Sequence, residues 1–451
     1  APGREGDRHA RPQELTAEPG LARELPPGAL RRRLAPLLGP RRLLPRVEVE
    51  RAYEGLGLLD RRRKTVAGAE IERARVRPPS RRLFADLPWR LVARGVKGFD
   101  RDLARLLARL EDRGLRRDDR SLLDLAYDAC DVVPGGYRPA VEVPLAPDAS
   151  AHLAMRRIHT HLLGVIRANE PGLRAGLDIE FLHDFRVAVR RTRSALGQVR
   201  GVFPERRERR FRREFAWLGR QTGALRDLDV YLLNLDGYRA ALPPETAEAL
   251  EPLEALRERR PRREHARLAR LRDGARSRRL LDDWERLLAD EKPPGLPPSA
   301  ARPVAEVARE RILAAHARVV RKGRKIESAT PDEKLHRLRI DAKKLRYLLE
   351  FFRGLYPPAE IGWVIRALKD LQENLGDFND LSVQQRELAG FGDELAAEGA
   401  AASAVMALGR LVAVLAGRQA ETRQDFHRRF ARFDRPGVER RLTALLQGAA
   451  P

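Results

Sequence analysis

The sequence predicts a mainly helical protein in which duplicated helical bundles follow a small α+β unit. Three observations lead to that class. From about residue 150 onward, apolar residues recur every three to four positions through almost every segment. A stretch beginning at Glu180, EFLHDFRVAVRRTRSAL, returns in the same frame as EKLHRLRIDAKKLRYLL beginning at Glu333. Between residues 46 and 145, by contrast, short runs alternate apolar and polar residues, which is the period of strands.

Taken in order, residues 1–45 are rich in Pro, Gly and Arg and read as a partly disordered tail with one short helix. Residues 46–145 form the α+β unit. Strands are expected at RVEVERAYEGLGLLD, KTVAGAEIERARV and LPWRLVARGV, then a helix at FDRDLARLLARLEDRGL and a last short strand at AVEVPL. The first bundle spans 150–290, with helical periodicity in AHLAMRRIHTHLLGVIRAN, the Glu180 stretch, RFRREFAWLGRQTG, VYLLNLDGYRAAL, AEALEPLEALRERR and RSRRLLDDWERLLA. Residues 291–302 are a proline-rich linker that cannot be helix interior. The second bundle, 303–448, continues with VAEVARERILAAHARVVRKGRK, the Glu333 stretch, IGWVIRALKDLQENLG, LSVQQRELAGFGDEL and a long final helix ending at FHRRFARF.

The duplication runs well past its basic core. His183, Arg186, Arg190, Arg191 and Arg193 align with His336, Arg339, Lys343, Lys344 and Arg346. Without a gap, RGVFP then aligns with RGLYP and GALRDLDV with GDFNDLSV. Those last segments read as helix ends and restarts, glycine capping one helix and Asp227 or Asp380 opening the next.

On a helix, the residues three, seven and ten places after the histidine lie within about 80° of it and of one another. The opposite side carries Phe185, Ala188, Thr192, Leu196 and Val199 in one copy, and Leu338, Ala342, Leu345, Leu349 and Phe352 in the other. Each helix therefore packs an apolar back and presents a cationic strip. Two such strips can line one groove, with Arg156, Arg157, Arg311, His316 and Arg318 extending it. Clustered like charges repel until a multivalent anion relieves them, and arginine forks match tetrahedral phosphate oxygens. The totals agree: 89 Lys and Arg against 65 Asp and Glu give a formal charge of +24, which points to a polyanionic partner.

Other chemistries are poorly supplied. Cys130 is the single cysteine, which excludes a disulfide framework and a cysteine-rich zinc site and suits a reducing cytoplasm. His159 and His161 are the only close histidine pair, and two residues apart on a helix they point to opposite sides, so no metal and no cofactor is expected. His152, His265, His316 and His427 read as surface or core-edge residues. No Walker loop, dinucleotide fingerprint or nucleophile elbow is present. Aromatic content of 6% gives little material for base stacking. No apolar run reaches membrane-spanning length. The chain opens on Ala1 rather than Met, from which a natural start lying further upstream is expected.

With these residues in view, LHDFRVAVRRTRSAL, its partner LHRLRIDAKKLRYLL and the RDLDV and NDLSV turns resemble the CHAD domain. The resemblance covers roughly residues 150–445. It implies paired helical bundles with pseudo-two-fold symmetry around a basic groove, binding of inorganic polyphosphate and association with polyphosphate granules. It also implies that the ten aligned His, Arg and Lys residues are phosphate ligands. More weakly, LLDRRRKTVAGAEIERARV resembles a strand pair of the CYTH triphosphate-tunnel domain. Catalysis in that family needs an E-x-E-x-K strand, and the nearest text here, VEVERA, has Ala52 at the lysine position. The resemblance there implies a degenerate or truncated domain without triphosphatase activity. Two alternatives stay open at this point: metal-dependent triphosphate hydrolysis by this region, and non-specific nucleic-acid binding.

Overall fold

The computed structural model describes residues 20–222, 235–240, 242–250 and 274–448. The chain divides into two compact units after Arg138. In the first, a short helix α1 (Ala29–Leu38) precedes strands β1 (Glu48–Leu59), β2 (Thr65–Arg77), β3 (Ala85–Asp86) and β4 (Arg90–Gly95). Strand β2 pairs antiparallel with β1 along one edge and with β3 and β4 along the other, giving an open four-stranded sheet. Its register sets Glu48 opposite Arg77 and Glu50 opposite Arg75, and both pairs form ion pairs. Helix α2 (Asp100–Asp112) falls where the periodicity placed it.

Helix α3 (Leu122–Ala129), which the sequence reading did not include, packs Leu125 and Ala126 against Ala74, Val76 and Leu87. Its start was written in the chain: the Ser121 hydroxyl accepts from the Asp124 N–H at 3.1 Å while the Asp124 carboxylate accepts from the Ser121 N–H at 2.8 Å. The strand expected at AVEVPL is absent. Residues 140–145 are irregular, and Val141 and Leu145 are buried in the core of the second unit, because these apolar residues meet helices rather than a strand edge.

The second unit holds α4 (Ala151–Ala175), α5 (Ile179–Gln198), α6 (Glu205–Gln221), the short α7 (Leu235–Arg239) and α8 (Pro244–Glu248), and α9 (Ala275–Ala289). After the linker come α10 (Val304–Gly323), α11 (Asp332–Phe351), α12 (Pro358–Ala397), α13 (Ala402–Phe433) and α14 (Pro436–Gln447). Helices α4, α5, α6 and α9 pack together, as do α10, α11, α12 and α14, and α5 crosses onto α11 between the sets. One continuous apolar core runs through both halves, from Val141 to Leu446, so the bundles are duplicated in sequence but share an interior. A second, smaller core joins Tyr238, Leu242 and Leu250 to the far end of the α12–α13 hairpin.

GDFNDLSV corrects the sequence reading. Instead of ending and restarting, α12 runs unbroken for 40 residues through Gly376 and Asp380, about 60 Å of helix. An interior glycine costs only about 1 kcal/mol. The continued burial of Phe378, Leu388, Phe391 and Leu395, much of it against α13, outweighs that cost. Its counterpart segment with Asp227, residues 223–230, lies outside the described residues. The aligned glycines of RGVFP and RGLYP both serve close approaches. Gly201 adopts φ +75°, and a Cβ on Gly354 would sit 2.1 Å from the Val143 carbonyl oxygen.

Candidate cationic cleft

Helix α5 is fixed at its start by Asp178, whose carboxylate caps the N–H groups of Glu180 and Phe181 at 2.8 and 3.2 Å. All five residues expected on its apolar back are buried, and so are the five expected behind α11. With both backs turned into the core, the strips turn outward towards each other. Three contacts set their spacing. The Arg190 Nε donates to the Tyr347 hydroxyl at 2.8 Å, Gln198 Nε2 donates to the Lys344 carbonyl at 3.2 Å, and Arg191 pairs with Glu350 at 2.9 Å.

Between them opens a cleft of about 1500 Å³. Helix α5 contributes Arg190 and Arg193, and α11 contributes Arg339, Lys343 and Lys344. Helix α10 adds Arg311 and Arg318. Helix α6 adds Arg206, Arg209, Arg212 and Arg213, with Arg200 on the loop before it. The described lining thus holds ten arginines and two lysines, and no aspartate or glutamate. Most of these cations also lack an acid elsewhere: among the described residues Arg190, Arg193, Arg206, Arg212, Arg213, Arg318 and Lys343 form no ion pair.

The electrostatic consequence is visible in the groups themselves. Burial, followed by repulsion from Arg339 and Arg190, pushes the Lys343 ammonium down to about 8. Burial also lowers Arg339, with repulsion from Arg190 adding to it and Asp380 opposing it. Arg193 is lowered by burial and by Arg220. A site that disfavours its own charges this way is poised for a polyanion, which would restore them.

Seven of the predicted site residues meet in the cleft: Arg190, Arg193, Arg339, Lys343, Lys344, Arg311 and Arg318. The others do not line it. Arg191 is turned to the far side of α5, where it bonds Glu350 and the Pro139 carbonyl, and Arg346 is held by Glu350 and Gln372. Arg186 donates to the Thr222 carbonyl, and His183 is half-buried one turn before it. His336 donates to Asn379 Oδ1 at 2.6 Å, beside the 3.0 Å Arg339–Asp380 pair. So Asp380 is an ion-pair partner and not a helix cap.

Among the expected extensions, Arg156 donates to the Leu288 carbonyl, Arg157 is exposed elsewhere, and His316 is buried against Phe433. His152, read as a surface or core-edge residue, is also buried, with Nδ1 2.7 Å from the Val202 carbonyl oxygen. His159 is fully buried edge-on to Trp284, and burial pushes it down to about 3, so it is a neutral core residue. Among the described residues no three His, Cys, Asp or Glu side chains are grouped to hold a metal ion. No helix of the described chain is long and apolar enough to cross a membrane.

The α6 arginines are what sequence reasoning missed, although a signal for them existed. In PERRERRFRREF, Arg206, Arg209 and Arg213 recur at steps of three and four, within about 60° of helix circumference. Phe211, Phe215 and Leu218 are buried on the other side. This is the same amphipathic pattern as the repeated strips, without a second copy to draw the eye.

Comparison with known proteins adds an independent line. A family model described as CHAD domain matches residues 157–389. Among solved structures the chain is similar to the CHAD domain from the plant Ricinus communis, at 28% identity and a TM-score of 0.54, over 65% of this chain and 96% of that one. It is also similar to PptA from Streptomyces chartreusis, at 20% identity and a TM-score of 0.43, over 63% of this chain and 99% of that one. No curated protein sequence matches the chain. The family match lies outside residues 46–145, so it does not bear on their CYTH resemblance.

Proposed function

The chain belongs to the CHAD domain family, and from that membership together with the acid-free cleft we propose that it binds inorganic polyphosphate between α5, α6, α10 and α11. The observation that carries this reading is the lining itself: twelve cations and no carboxylate around one opening. Guanidinium groups approaching from four helices can each donate two parallel N–H bonds to phosphate oxygens, and the buried members gain most because little water competes there. Binding of this kind suits recruitment to polyphosphate granules, a role that requires no chemical step.

Nucleic acid fits the same charge less well. Tyr347 is the one aromatic residue in the described lining, and its hydroxyl is already held by Arg190, so bases would find no stacking platform. Titration with polyphosphate of defined length, in competition with duplex DNA over a range of salt, tests the reading. Polyphosphate should displace DNA and keep its affinity at salt concentrations where DNA is released. Parallel loss of both ligands would reduce the cleft to a generic electrostatic binder.

Lys343 gives the complex a pH signature. Its free value near 8 rises when phosphate surrounds it, so binding takes up a proton above that pH. Affinity should therefore fall as pH rises from 7.5 to 9.5, by roughly tenfold for one linked proton. Lys343→Arg, which stays charged, should flatten the profile. An unchanged slope in that variant would place the titrating group elsewhere.

A further inference from the structure

The duplicated sequence gives the paired helices α5 and α11 two sides that ought to be equivalent, yet the structure treats them differently. Arg193 and Lys344 face the cleft, whereas their register partners, Arg346 and Arg191, lie on the opposite side. There Glu350 pairs with both arginines, at 2.7 and 2.9 Å. The irregular segment 139–145 covers the same region: Pro139 accepts from Arg191, Val141 and Leu145 are buried, and the Val143 carbonyl presses onto Gly354. This second side is closed by the chain's own carbonyls and neutralised by its own carboxylate.

The open side departs from symmetry in the other direction. Arg206, Arg209 and Arg213 are exposed along α6. The positions aligned with them at the start of α12 are Ala359, Gly362 and Arg366, so only one cation of three is repeated. Of the acids on α6, Glu205 meets Arg209 at 3.4 Å with both side chains mostly exposed, a weak pairing, Glu214 is held by Arg276, and Glu208 is buried.

Building on the polyphosphate reading, we propose that the α6 ridge is a cationic exit of the cleft and that a chain too long for the inner cations runs out over it. The protein then discriminates polyanions by length: the inner cations of α5 and α11 hold any phosphate chain, and α6 adds affinity only for those that extend beyond them. Length preference would thus be a property of the first repeat alone.

The test compares tripolyphosphate with long-chain polyphosphate on wild type and on the triple variant R206S/R209S/R213S. These three side chains are exposed, so the variant should fold, which its helical circular dichroism and thermal midpoint would verify. Long-chain affinity is expected to drop at least about tenfold and its log–log salt slope to lose about 2, at roughly 0.7 per phosphate contact, whereas tripolyphosphate, which meets fewer of these cations, should weaken several-fold less. Equal weakening of both ligands, or no weakening of the long chain, overturns the exit. If wild type binds neither ligand, the polyphosphate reading itself fails, a result visible before any variant is measured.

Discussion

Replacing Arg190, Arg193, Arg339 and Lys343 together with glutamate is expected to abolish polyphosphate binding, by at least about a thousandfold at moderate salt. Each charge-assisted hydrogen bond contributes about 1.5–3 kcal/mol, so losing even two or three exceeds the roughly 4 kcal/mol that a thousandfold represents. Reversal goes further than removal, since four carboxylates would repel the ligand from the centre of the cleft. The site is placed for this test: the four residues come from both repeats, and three of them already carry lowered proton affinity from burial and mutual repulsion. Arg190 also bonds Tyr347, so the glutamate variant should be paired with a glutamine version that removes charge without adding it. The glutamine version should bind with intermediate affinity. Retention of wild-type affinity by the folded glutamate variant would remove the cleft from consideration.

The second large effect is on stability. Trp284 of α9 is fully buried, with ring centroids of Phe211, His159, Phe203 and Phe215 between 4.6 and 5.6 Å away. It touches helices α4 and α6 and the turn between α5 and α6, so it closes the first half of the core much as a keystone would. Trp284→Ala removes the largest side chain in that cluster and leaves a cavity its rigid neighbours cannot fill, at a cost of about 3–5 kcal/mol. Chemical denaturation of the helical region should report that loss, with Trp284→Phe much closer to wild type. Because Phe211 and Phe215 belong to α6, the alanine variant should also weaken long polyphosphate more than tripolyphosphate. A stability loss below about 1 kcal/mol would show that the aromatic cluster is not tightly packed.

The residues themselves show what could be read in advance. The apolar backs of α5 and α11 were legible because helix geometry fixes which side chains share a face, and burial follows from apolarity. The strip positions three and seven after the histidine were legible for the same reason in the second repeat, where Arg339 and Lys343 both enter the cleft. Arg191 and Arg346 were not. Their helical angle is compatible with the groove, and only Glu350 and Pro139, distant in sequence from one or both, decide that they face away. Similarly, nothing local to GDFNDLSV foretells that α13 will lie alongside and carry α12 through its glycine.

By itself the sequence determined the amphipathic helices, their duplication and an excess of positive charge that cannot all be neutralised internally. Each of these depends on residue type and spacing along one segment. The tertiary structure alone decided which cations share a cleft, that α6 joins it while the opposite side is closed, and that Glu350 silences two members of the strips. Helical spacing orients a side chain about its own axis, but it does not say which element stands opposite, and a charge acts through that neighbour.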